Sequence, residues 1–201
     1  MSYTIRLALT LGIICIIAAF ALGGVYELTK ERIELERERV MKEALKNVLP
    51  RAKHILQTTT PEGEVYFRGF ATEDTSVAPV GYAVVAYGKE GYSSTIQTLV
   101  GVEKSGEITG IEILFQQETP GLGAKAEEVL YGESDSWFQR QFKGKSGIEI
   151  AVDKDGGEIK SITGATITSR AITKSIKSEV EWLMEWLKKE GFILSERNHS
   201  Y

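Results

Sequence analysis

Near the carboxyl end, Ser161-Ile162-Thr163-Gly164-Ala165-Thr166-Ile167-Thr168-Ser169 sets five hydroxyl side chains around one glycine, just ahead of an amphipathic stretch. Such a cluster can hold a phosphate. Glycine lets the backbone approach closely, the unpaired amides of a helix start point at an anion, and the helix dipole favours negative charge there. Ser and Thr are also ordinary helix caps, and Thr-Gly is an ordinary turn, so spacing alone leaves both readings open. A second segment, Glu118-Thr119-Pro120-Gly121-Leu122-Gly123, combines a fixed proline with two permissive glycines. It could present backbone amides edge-on to a flat ring, or simply join a strand to a helix.

Taken together and in this order, the Thr163–Ser169 string and the Glu118–Gly123 loop resemble the FMN-binding domain of the G subunit of Rnf-type ferredoxin:NAD oxidoreductases. The C subunit of the sodium-pumping NADH:quinone oxidoreductase shares that domain. With the apolar amino-terminal segment, the similarity covers nearly the whole chain. The resemblance implies that Thr166, rather than Thr163 or Thr168, carries FMN as a phosphoester installed by a separate flavin transferase. It further implies that Thr163, Thr168 and Ser169 donate to phosphate or ribityl oxygens, and that Gly164 and Ala165 matter by being small. In the upstream loop, Thr119, Leu122 and Gly123 become flavin contacts, with Glu118 and Lys125 nearby. Gly91-Tyr92-Ser93 resembles a less specific family position near the sheet edge. Lys160 departs from the family, which usually carries an aspartate there as part of what the transferase reads; Asp153, Asp155 or Glu158 could substitute in space.

Composition narrows the alternatives. With 201 residues, 42% hydrophobic and 26% charged, the chain is long enough for one domain with a real core. A formal net charge of −4 and only mixed-sign charge runs give no nucleic-acid footprint. The single cysteine, Cys15, cannot form an intramolecular disulfide or hold a cluster alone, and His54 and His199 are the only imidazoles, so metal catalysis is not expected. No Walker motif, Rossmann fingerprint or catalytic dyad is evident.

The elements that must position these residues follow from patterning. From Leu7 to Tyr26 no charged side chain occurs, enough apolar chain to cross a bilayer as a helix. Ala19-Phe20-Ala21 resembles a signal-peptidase site, which makes a cleaved leader the rival reading. The apolar run continues beyond it, which favours an anchor ending in Tyr26 at the interface. Glu27 to Leu49 reads as a continuing charged helix with an apolar stripe through Ile33, Val40, Ala44 and Val48, ended by Pro50. Period-two runs between Glu64 and Gln117, at Tyr82–Tyr87, Ile96–Val102 and Ile111–Phe115, predict an antiparallel sheet with a hairpin turn at Lys104-Ser105-Gly106. Short helices are expected over Ala124–Tyr131 and Trp137–Phe142, and a strand near Ile148–Val152. A final helix from Thr166 should bury Ile172, Ile176, Val180, Leu183 and Leu187 and close at Gly191, with Trp182 and Trp186 as packing residues.

The expected fold class is therefore α+β: a single transmembrane helix (1–26), a stalk helix and linker (27–60), and an FMN-binding domain (61–201) of antiparallel sheet with flanking helices. Basic residues after the anchor, read by the positive-inside rule, put the large domain in the cytoplasm. The resemblance puts it on the extracytoplasmic side of the inner membrane, and that side is the one expected here, because the basic residues are interleaved with glutamates. By the same resemblance, the partners are the other Rnf-type subunits, the flavin transferase and membrane lipid. The activity implied is electron relay within a machine coupled to sodium or proton movement, with no independent catalytic site. A regulatory or sensory FMN module and a flavin-free assembly subunit are the alternatives.

Overall fold

The computed structural model describes residues 3–133 and 135–191, so His199 lies outside the described residues. The chain divides into two units, Met1–Lys42 and Glu43–Tyr201. Helix α1 runs unbroken from Tyr3 to Val48. It is the one helix among the described residues long and apolar enough to cross a membrane. Within the first unit, Ile13, Ile16, Ile17, Phe20 and Leu22 are all exposed, a surface that water disfavours and lipid does not. From Glu27 onward the helix surface is charged. The pairs Glu27–Lys30, Glu34–Arg37, Glu36–Arg39 and Glu38–Lys42 sit at the three- and four-residue spacings that let side chains meet. Ile33, expected in an apolar stripe, is exposed instead, and burial begins only near Ala44.

In the second unit, five antiparallel strands lie in sequence order: β1 (His54–Thr59), β2 (Val65–Phe70), β3 (Gly81–Gly88), β4 (Ile96–Val102) and β5 (Ile108–Phe115). The β4–β5 turn forms at Lys104-Ser105-Gly106 as expected, with Gly106 at φ +85° and its amide donating to the Glu103 carbonyl. One face of the sheet carries Tyr66, Tyr82, Val84, Val100, Val102 and Ile111. Against it lies α3 (Thr166–Lys189), which buries Ile172, Ile176, Val180, Leu183 and Leu187 along its 3.6-residue stripe. Trp182 and Trp186 pack at the margin of this core. A short helix α2 (Trp137–Arg140) contributes Phe138, whose ring meets Phe142 edge to face at 5.5 Å.

The opposite face is nearly bare of side chains where residues 47–52 cross it. Gly69, Gly81, Gly101 and Gly110, one from each of β2 to β5, leave a trough. A Cβ at Gly69 would lie 2.8 Å from that of Ala52, one at Gly81 would lie 3.0 Å from Leu49, and one at Gly101 would collide with the Val48 carbonyl. Thr109 donates its hydroxyl to the same carbonyl, and Val48 and Leu49 are buried.

Three local expectations are corrected. Ala124–Tyr131 is helical only in its first half, as a 3-10 helix over Gly123–Glu127, and Val129, Leu130 and Tyr131 are exposed. Trp137–Phe142 is helical only to Arg140. No strand forms at Ile148–Val152; Val152 makes an isolated bridge to Ile159, and Asp153–Asp155 is a 3-10 turn. Strand β1 falls inside the stretch read as stalk and linker.

Candidate functional site

The hydroxyl cluster folds as a turn entering α3. Gly164 sits at φ +78°, the left-handed region that glycine tolerates and other residues rarely adopt. Ser169 holds the turn closed. Its buried hydroxyl accepts the Ile162 amide at 2.9 Å and donates to the Ala165 carbonyl at 3.0 Å. Thr168 is buried too, and its hydroxyl donates to Glu118 at 2.6 Å. Thr163 is exposed in the turn, and Thr166 is half-buried at the first helical position.

The cap of α3 bears on the two readings of this segment. In a helix capped by the Ser/Thr cluster, a side-chain oxygen would take an amide of the first turn. Here the capping position is Ala165, with no side-chain bond to the turn. The first backbone bond into the helix runs from Ser169 to Ala165. The amides of Thr166, Ile167 and Thr168 therefore precede the helical ladder without a capping side chain, which is the arrangement that receives an anion.

The upstream loop meets this turn. Clefts that take small molecules commonly run to about 300–1,000 Å³; the one here measures ≈ 520 Å³. Thr119, Leu122 and Gly123 line one side, Gly164, Ala165, Thr166, Ile167 and Thr168 another, and Tyr92 and Glu118 complete it. Leu122 and Tyr92 offer apolar surface, at 43% and 70% exposure. Gly123 is there because nothing larger fits: a Cβ would lie 2.7 Å from both Glu118 Cβ and Thr168 Oγ1. Lys125 stands in the following 3-10 turn, outside the cleft lining.

Glu118 is 5% exposed and fully bonded. Its carboxylate accepts the amides of Ser93 at 2.9 Å, Ser94 at 3.2 Å and Tyr92 at 3.3 Å, besides the Thr168 hydroxyl. Burial alone would push the carboxyl up; the Thr168 hydroxyl and the three amides outweigh it and hold Glu118 below the usual carboxylate range. A group with a depressed folded pKa adds stability that is present above its unfolded value and lost as pH falls through the folded one. Thermal melts of the full chain in detergent are accordingly expected to separate wild type from Glu118→Gln at neutral pH. The gap should close on acidification well below the ordinary value of 4.5.

The acids near Lys160 are each engaged. Asp153 accepts the amide and hydroxyl of Ser161, Asp155 forms a two-point pair with Arg170 at 2.6 and 2.7 Å, and Glu158 pairs with Lys145. The backbone of Lys160 is held by the Gln141 amide. Asp153 and Asp155 thus grip both arms of the turn, Ser161 before it and Arg170 one helical turn after Thr166. Sequence reasoning passed over Arg170 and gave Tyr92 only a generic place; a basic residue four positions after Thr166 was the available signal. A second cleft of ≈ 390 Å³ contains Glu112, whose carboxyl is pushed up by burial, opposed by the Asn47 bond and reinforced by Asp135 and Glu127. Among the described residues no group of three or more His, Cys, Asp or Glu side chains is placed to hold a metal.

Comparison with known proteins agrees with this geometry. Residues 91–181, which contain every residue lining the motif cleft, match the FMN-binding domain family, and residues 2–48 match the RnfG N-terminal region. The chain is 31% identical over 192 residues to the G subunit of the ion-translocating oxidoreductase complex of Pasteurella multocida, covering 92% of this chain and 95% of that protein. It is 31% identical over 182 residues to the protein of the same name from Haemophilus influenzae strain PittEE, covering 87% of each. The corresponding protein of Aliivibrio fischeri strain MJ11 is 29% identical over 192 residues, with 91% of each chain covered.

Proposed function

This chain belongs to the family of ion-translocating oxidoreductase complex G subunits, membrane electron-transfer subunits with an FMN-binding domain, and from that premise we propose that it carries FMN as a phosphoester on Thr166. One observation carries the proposal: Thr166 opens α3 on a first turn that no side chain caps, facing a cleft closed by the Glu118–Gly123 loop. A phosphodiester keeps one negative charge, and there it meets unpaired amides and the positive end of the helix dipole.

The residues present fit the group. The cleft has room for a flat ring, with Leu122 and Tyr92 as its apolar surfaces and the 119–123 backbone along one edge. Gly164 and Ala165 keep the entrance to Thr166 clear of bulk. Thr163 is exposed in the turn without lining the cleft, and Thr168 and Ser169 spend their hydroxyls on Glu118 and on the turn, so all three contribute by shaping the turn. Bound FMN supplies the redox chemistry, and the chain supplies attachment, orientation and electrostatics.

A covalent tether is useful where lost cofactor cannot be replaced, which supports an extracytoplasmic side for the large domain. The partners are then the other subunits of the complex, and a flavin transferase is needed for maturation. Electron relay through this protein serves the coupled movement of sodium or protons.

Intact mass of the chain, expressed in membranes together with a flavin transferase, tests the proposal. The expected mass retains the apolar segment and includes one FMN as ester. A mass without the flavin increment refutes the attachment; one lacking the apolar segment refutes the anchor.

A further inference from the structure

We propose that Glu118 is a positioning residue of the FMN cleft, a buried carboxylate that ties its three walls together and keeps a fixed negative charge beside the cofactor, and that it is not a flavin ligand. The inference rests on the reading that this cleft takes FMN. A carboxylate offers about four lone-pair sites across its two oxygens. Here all four are used. Oε1 accepts Ser93 and Ser94, and Oε2 accepts Tyr92 and Thr168. No acceptor capacity remains for a flavin N–H.

The four donors come from two segments far from Glu118 in sequence. Tyr92, Ser93 and Ser94 form the turn before β4, Thr168 lies in the first turn of α3, and Glu118 itself opens the loop to Gly123. Each of the three lines the same cleft, through Tyr92, through Thr166 to Thr168, and through Thr119, Leu122 and Gly123. The joint is tightly fitted. A Cβ at Gly91 would lie 3.1 Å from Glu118 Oε1, and one at Gly123 would lie 2.8 Å from Oε2. Its surroundings also explain why the charge is tolerated, since a buried carboxylate needs several donors to offset lost hydration. Gln116 adds a further hold by accepting the Glu118 amide at 2.7 Å.

Two consequences follow from one residue. The clamp sets the distance between the Tyr92 turn and the Thr166 turn, and the charge disfavours any added negative charge on the cofactor. Glu118→Gln separates these from a bland packing role, because either orientation of the amide puts an NH2 where two donors already point. Thr168→Val removes one donor and keeps the charge.

The test uses the full chain in detergent, with and without flavin loading. In unloaded Glu118→Gln, the amides of residues 92–94 are expected to exchange at least about tenfold faster while those of β3 and β4 keep wild-type protection. Unchanged exchange at 92–94 overturns the clamp. In loaded protein, Glu118→Gln is expected to shift the flavin midpoint positive by about 59 mV, a tenfold change for a one-electron couple, whereas Thr168→Val moves it far less. An unmoved midpoint, or an equal shift in both variants, overturns the role of the charge. If Glu118→Gln does not accumulate, Thr168→Val reads the same amides, with severalfold faster exchange expected and unchanged exchange overturning the clamp. Should wild type take no FMN, the functional reading fails by itself, and exchange in the unloaded chain still decides the clamp.

Discussion

Thr166→Ala is expected to leave a folded protein with no covalently held flavin: no fluorescence in a denaturing gel, and an intact mass lacking FMN. The loss should be complete, because the substitution deletes the only atom through which the proposed ester can form. It should not come through unfolding. Thr166 is half-buried at the first position of α3, its side chain caps nothing, and alanine is the better helix former, so stability should change by no more than about 0.5 kcal/mol. Thr163→Ala is the control. Thr163 carries a hydroxyl three residues away but does not line the cleft, and its variant is expected to stay covalently flavinylated. Fluorescence that survives Thr166→Ala would place the attachment elsewhere.

The second large effect is expected at Gly123. Its φ is not in the left-handed region, so the demand for glycine there is one of space. In Gly123→Ala the new methyl would sit 2.7 Å from Thr168 Oγ1 and from Glu118 Cβ, and neither can swing away without breaking the buried bond between them. Overpacking of this kind costs about 1–3 kcal/mol, and a strained hydrogen bond to a charged group adds to it. A melting temperature several degrees below wild type is expected, together with severalfold lower flavin loading. A variant with wild-type loading would show that the cleft tolerates a wider loop. Gly121, at φ +76° with open space around its missing Cβ, makes the contrast: alanine there strains the backbone without touching Glu118 or Thr168.

Long, strongly periodic segments were legible in the sequence. The stripe from Ile172 to Leu187 and the alternation at Tyr82–Ala86 each faced the core as their periods required. Strand β1 was not legible because His54 to Thr59 lacks clean alternation: its burial alternates only over Leu56–Thr59, and none of its residues is fully buried. At Ile148, Ile150 and Val152 the alternation was real but misleading. Ile150 and Val152 are buried under loop packing, Ile148 is exposed, and only a single bridge forms. The site shows the same division. The two motifs could be seen in the chain, and they do meet in one cleft. What Glu118 does there could not be seen, because its partners lie 24 to 26 residues before it and 50 after. Nor could the missing cap: a run of five hydroxyls gives no sign that two of them, on Thr168 and Ser169, turn inward and leave Ala165 at the helix entrance.

The glycine trough bears on how the domain carries mechanical load. Pulling on the chain ahead of a first strand that lies at a sheet edge ordinarily peels that strand away, one hydrogen bond at a time. Here residues 47–52 are wedged against β2, β3, β4 and β5 before the chain reaches β1. Tension entering through residues 47–52 is spread over four strands and stopped short of the edge, so a pull from that side is kept from opening the sheet.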